Sequence, residues 1–141
     1  MIRYDRQDTS FNFKGRRLNS RWLNNVAFAE GKKIGQIAVV FCSDEYLLQI
    51  NRQFLKHNYY TDIITFDYCE GDTLNGDLLI SIDCVRDNAE HYGCSFDEEL
   101  HRVIVHGLLH LIGYDDHTAG EQKQMREKEN EYLCSRNTMS L

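Results

Sequence analysis

The chain has 141 residues, of which 42% are hydrophobic and 27% charged, with a formal net charge of −6 and five cysteines. That length suits one domain burying roughly two-thirds of its unfolded surface without disulfides, and no apolar run nears the ~20 residues that span a bilayer. An odd cysteine count with no CxxC pair argues against a disulfide scaffold and a cysteine zinc knuckle, and the acidic balance gives no global attraction to a polyphosphate, so any RNA contact has to be local.

The opening residues, MIRYDRQDTSFNF, alternate charge with aromatics and lack the apolar stretch of a secretory signal, which predicts cytoplasmic residence. Short strands are expected at 2–5 and 10–13. From Arg16 to Glu30 the period is helical, carrying Leu18, Trp22, Leu23, Val26 and Phe28 before Gly31, with the arginines outward. Gly35 to Phe41 is rich in β-branched residues and predicts a strand; Ser43 then offers an N-cap for a helix through Leu55. Two cationic clusters stand out, Lys14, Arg16, Arg17 and Arg21, and then Arg52, Lys56 and His57; both read first as solvated helix faces.

Strands are expected again at 62–66 and 77–81, joined by the glycine-bearing loop from Glu70 to Gly76. Three helices follow: Ile82 to Tyr92, one opened by Ser95-x-x-Glu98, and one opened by Thr118-x-x-Glu121. No repeat, low-complexity tract or proline marks a linker. Strands early and helices late predict one α+β domain over residues 1–141, with a small mixed four-stranded sheet covered by about five helices.

Between Asp97 and Ile112 the helix is apolar nearly all round, with Leu100, Ile104, Leu108 and Leu111 on one side and Val105, Leu109 and Ile112 on another, so it is buried. At about 100° per residue, His106 and His110 point the same way from a strip between those sides. Two imidazoles held at i and i+4 suit a first-row divalent metal such as zinc. Alone the spacing is weak, because paired helical histidines also serve as hydrogen-bonded core residues. Gly113 can end the helix, after which Tyr114-Asp115-Asp116-His117 turns back with a further ligand. Three protein ligands leave a fourth position for water, the catalytic form of zinc site, and hydrolysis follows as the reaction class. Gly107 stands where the metalloprotease pattern HExxH has its glutamate, which speaks against peptide hydrolysis. A glycine there is expected to let the helix approach another backbone closely.

The run HGLLHLIGYDDH resembles the HGxLHLxGYDH signature of the YbeY family, endoribonucleases linked to ribosomal RNA maturation and small-subunit quality control. INRQFLKHNYYTDIITFDY and NGDLLISIDCVRDNA are similar to two further segments of that family, in the same order, so the likeness covers roughly residues 35–133. It implies an α+β fold, one zinc ion at the signature positions, and cleavage of single-stranded RNA. As partners it implies ribosomal RNA and the small ribosomal subunit or an assembly factor, with no membrane.

Two departures from the family pattern matter. Its third histidine aligns with Asp116, a carboxylate that can also bind zinc, while His117 follows one residue later and can bind as well. An aspartate ligand would weaken the Lewis acid and admit manganese or another harder ion. The family's RNA-engaging arginine is Leu55 here, leaving Lys56 or His57 to substitute. The resemblance thus nominates His106, His110, Asp116 and Lys56 as catalytic, and His106, His110 and Asp116 or His117 as metal ligands. Asp62 and Asp77 are expected to shape turns and orient the histidines, and Asp115 or His117 to move a proton. Two other classes fit parts of the pattern: another metallohydrolase, and a non-catalytic ribosome-assembly module with a structural metal.

Overall fold

The computed structural model describes residues 1–139 and orders them as β1 (Ile2–Gln7), α1 (Arg16–Ala29), β2 (Lys33–Cys42), α2 (Asp44–Phe54), β3 (Ile63–Asp67), β4 (Thr73–Ser81), α3 (Ile82–Tyr92), α4 (Phe96–Ile112) and α5 (Ala119–Asn137). The strands form one mixed sheet in the order β1-β2-β4-β3, in which β1, β2 and β4 run parallel and β3 pairs antiparallel with β4. With five helices around it, this is the α+β architecture that the pattern predicts. The expected strand at 10–13 does not form. Phe13 is buried and the Phe11 ring meets Phe41 edge-on at 5.3 Å, so aromatic packing rather than a ladder holds this run. Phe28 leaves the apolar stripe of α1: Trp22, Leu23, Val26 and Ala27 are buried, whereas Phe28 is 83% exposed.

Side-chain alternation along the strands divides the apolar residues between two faces. Ile37, Val39 and Phe41 of β2 and Leu78 and Ile80 of β4 enter the larger core, which α1 and α4 close with Trp22, Ile104 and Leu108. On the opposite face Cys42 and Leu79 join Leu47 of α2 and Ile64 of β3 in a smaller cluster. All five cysteines are free thiols. Burial, then the nearby aspartates, push the Cys42 thiol up to about 12, so it packs as a small hydrophobe. Among the described residues, no helix is long and apolar enough to cross a membrane.

Caps set where the site-bearing helices begin. The Ser95 hydroxyl accepts from the Glu98 N–H, and Thr118 forms a full capping box with Glu121; each such cap contributes about 1 kcal/mol. Helix α4 then lies against β3 and β4 at Gly107, where a Cβ would stand 2.7 Å from Ile63 Cδ1 and 3.0 Å from Leu78 Cδ2. The close approach expected of Gly107 is therefore made by side chains of the sheet, not by another backbone. It sets the histidine-bearing end of α4 directly against strand β3.

Candidate metal centre

Helix α4 carries His106 and His110 on one strip and stops at Gly113, whose φ of 126° is open to glycine and strained for other residues. The Gly113 N–H reaches Leu109 O and His110 O, both at 3.1 Å, and the Tyr114 N–H reaches Leu109 O at 3.0 Å. The chain then doubles back. Its turn is anchored twice: the Tyr114 hydroxyl donates to Glu30 Oε1 at 2.7 Å, and Gln122 Nε2 donates to the Asp116 carbonyl at 3.1 Å. Asp116 thus returns over the histidines.

Three potential ligand atoms meet there. His106 Nε2 lies 3.1 Å from His110 Nε2, and Asp116 Oδ2 lies 3.3 Å from the former and 3.6 Å from the latter. Bonds of ~2.0–2.1 Å in tetrahedral geometry place ligand atoms about 3.3–3.4 Å apart, so the triangle has the dimensions of one face of such a site. Two imidazoles and a carboxylate form an N2O donor set, and this group could hold a divalent ion.

The orientation of His106 is fixed from behind. Its Nδ1 donates to Glu129 Oε2 at 2.6 Å, and Glu129, only 5% exposed, also accepts from Arg102 Nη1 at 3.0 Å. With Nδ1 carrying the proton, the Nε2 lone pair faces the centre. Burial opposes the charged form of His106, but the hydrogen bond and charge of Glu129, with Asp116 and Asp62 beyond, outweigh it and raise the His106 pKa. Burial likewise opposes ionisation of Glu129, yet His106 and Arg102 hold its carboxyl below the usual range. The His110 pKa is lowered, first by burial and then by the charge of His106. A neutral His110 is the form that offers a lone pair.

The centre opens into a cleft of about 470 Å³ whose lining includes Asn51, Leu55, Tyr59, Asp62, His117 and the three clustered side chains. Of the residues singled out in the sequence, His106, His110 and Asp116 come together, while His117 lines the cleft outside that group. Lys56 is exposed at the end of α2 with a left-handed backbone, φ 56°, and its neighbour Leu55, rather than Lys56, lines the cleft. Asp62 lies beside His106, where burial raises its pKa and the imidazole opposes the rise; Asn88 Nδ2 donates to it at 3.3 Å. Asp77 lies instead near Arg3, away from the cleft.

Sequence reasoning missed Glu129. A signal was available: in α5 the buried residues are Met125, Glu129, Tyr132 and Leu133, so a glutamate occupies an apolar helical stripe. A carboxylate in such a stripe needs a buried cation or donor.

Comparison with known proteins finds relatives of the chain. Residues 2–137 match the family described as "Endoribonuclease YbeY". A protein of that description from Bacteroides thetaiotaomicron is 56% identical over 121 residues, covering 86% of this chain and 88% of its own. Others, from Phocaeicola vulgatus and Cytophaga hutchinsonii, are 50% identical over 134 residues and 48% identical over 136; they cover 95% and 96% of this chain, and 97% and 95% of their own. The solution structure of TM1509 from Thermotoga maritima superposes with a TM-score of 0.69 at 28% identity, covering 96% of this chain and 89% of that one.

Proposed function

The chain belongs to the endoribonuclease YbeY family, and on that premise we propose that it is a metal-dependent endoribonuclease that hydrolyses single-stranded RNA in ribosomal RNA maturation and quality control. Its partners in this reading are ribosomal RNA and the small ribosomal subunit or an assembly factor, in the cytoplasm, and residues 1–141 act as one hydrolase domain. The observation that carries it is the triangle of His106 Nε2, His110 Nε2 and Asp116 Oδ2 at the floor of an open cleft.

A divalent ion held by these three would polarise a phosphoryl oxygen and lower the pKa of water toward ~7. His106 and His110 would contribute fixed nitrogen donors, and Asp116 a negative oxygen that would weaken the Lewis acid and admit manganese beside zinc. Glu129 and Arg102 keep the His106 tautomer and ring angle in place. His117, exposed on the cleft wall, is the residue this reading assigns to giving a proton to the leaving oxygen. Lys56, one residue from the cleft wall, supplies a point charge for a phosphate at the cleft entrance.

Purified protein should cleave a single-stranded oligoribonucleotide, with activity abolished by a strong chelator and by His110→Ala. Cleavage by the variant at the parent's rate would assign the activity to a contaminant or another site. Elemental analysis of Asp116→Ala beside His117→Ala names the third ligand: metal is expected to be lost from the first and retained by the second.

A further inference from the structure

One wall of the cleft has no use in holding an ion. Leu55 and Tyr59, from the connection between α2 and β3, line it together with His106, His110 and Asp116. Both are open to solvent, Tyr59 by 57% and Leu55 by 41%. The connection is tied down nevertheless. Asn51, 2% exposed, donates from Nδ2 to the Tyr59 carbonyl at 2.9 Å, and its own carbonyl accepts from the His57 N–H at 3.1 Å. The His57 ring leans on Tyr59 at 5.2 Å between centroids, tilted by 40°. A half-open aromatic ring on a tied-down backbone therefore shares the cleft with the three-ligand centre.

The charge of the cleft sharpens the point. Its ionisable lining is Asp62, Asp67 and Asp116 with three histidines, and among the described lining residues none is lysine or arginine. Apart from an ion held at the three-ligand centre, a polyanion entering it meets carboxylates and no lysine or arginine on the described walls. Stacking on an aromatic ring does not depend on charge and accepts any base. Base faces are free for it in single strands and covered by neighbours in a duplex.

We propose that Tyr59 is a stacking platform for an unpaired base of single-stranded RNA, seated beside the His106, His110 and Asp116 centre so that the adjoining phosphate falls over it. The proposal rests on the ribonuclease reading above and assigns that site's contact with its substrate. Strand selection then comes from the base face, since beyond the ion at the centre the described walls offer the backbone no lysine or arginine.

The probe is a 2′-O-methyl oligoribonucleotide, resistant to hydrolysis, carrying 2-aminopurine, whose fluorescence falls when the base stacks. Wild type and Tyr59→Phe should quench it and bind alike. Tyr59→Ala should abolish the quenching and weaken binding by at least about five-fold. On the unmodified strand the same variant should raise KM by a similar factor with kcat nearly unchanged, while a duplex of the same sequence should show no dependence on residue 59. The Asn51 bond is to the Tyr59 backbone, so the variant retains it, and an unchanged melting temperature checks this. Equal quenching and equal KM in wild type and Tyr59→Ala overturn the platform while leaving chelator-sensitive cleavage, and so the ribonuclease reading, intact. Quenching that depends on Tyr59 in a protein that cleaves nothing would overturn the ribonuclease reading instead and support the platform. No quenching by wild type overturns the platform whatever the cleavage assay gives.

Discussion

The two ends of α4 put the same residue type to opposite uses. Toward the N-terminal end, His101 is 2% exposed, its ring 5.9 Å from both Phe13 and Trp22, and its Nδ1 donates to the Asp97 carbonyl at 2.7 Å. Burial lowers its pKa despite that bond, so it packs as a neutral aromatic. Five residues on, the Nδ1 of His106 donates to the Glu129 carboxylate, and the pKa moves the other way. The accepting group makes the difference. A carbonyl is a dipole, which stabilises imidazolium too weakly to offset burial; a buried carboxylate stabilises it enough to do so and orients the other nitrogen outward. Helix phase decides where each ring points, and the charge of its partner decides what the ring can do.

The largest effect should come from removing a donor at the cleft end. His110→Ala should lose the metal and lower ribonuclease activity by more than about 100-fold, beyond the ~10–100-fold that follows loss of an outer partner, as read by elemental analysis and single-turnover cleavage. Next comes the outer partner itself. Glu129→Gln keeps the shape but removes the charge, and should weaken metal affinity by about 10–100-fold while costing about 1–3 kcal/mol of stability as Arg102 loses its ionic partner; titration with a competing chelator and urea unfolding measure the two. Equal metal affinity in Glu129→Gln and wild type would erase the proposed contrast between the two ends.

The smallest effects are titrations of the metal-free protein. Followed by NMR, the His101 ring should titrate below the ordinary histidine value of 6.5 and the His106 ring above it. The sign for stability follows for His101. Because its folded pKa is depressed, the unfolded chain binds the proton first as pH falls below 6.5, so stability contributed by neutral His101 is present above that value and lost as pH falls toward the folded pKa. Melting temperature in chelator should therefore slope downward over this acid window, and His101→Phe should flatten the slope. A slope unchanged by His101→Phe would show that this histidine is not the neutral aromatic proposed.

Much of the fold was legible because its signals are local. Ser43, Ser95 and Thr118 cap helices where their side chains accept from the next turn, and short runs of apolar, often β-branched residues mark β2 and β4. The run at 10–13 misleads because Phe11 and Phe13 mimic strand alternation while their rings serve the core from a coil. Phe28 misleads because hydrophobicity alone does not say on which arc of α1 a residue falls. At the site, the stop at Gly113 and the return of Asp116 follow from a glycine and a short turn. Glu129 stayed hidden because it stands 23 residues beyond the histidine it orients, and Tyr59 because a tyrosine in a polar loop carries no signal until a cleft forms beside it.

By itself the sequence determined that two imidazoles share one strip of a buried helix, since 3.6 residues per turn makes that a property of spacing. It also brought two candidate third ligands within a short turn of them. Tertiary packing alone brought Asp116 rather than His117 into the triangle, set a buried carboxylate of α5 behind His106, and placed Tyr59 of the connection between α2 and β3 on the cleft wall. Those contacts join residues far apart along the chain, and their energies depend on burial and dielectric, which exist only once the core has closed.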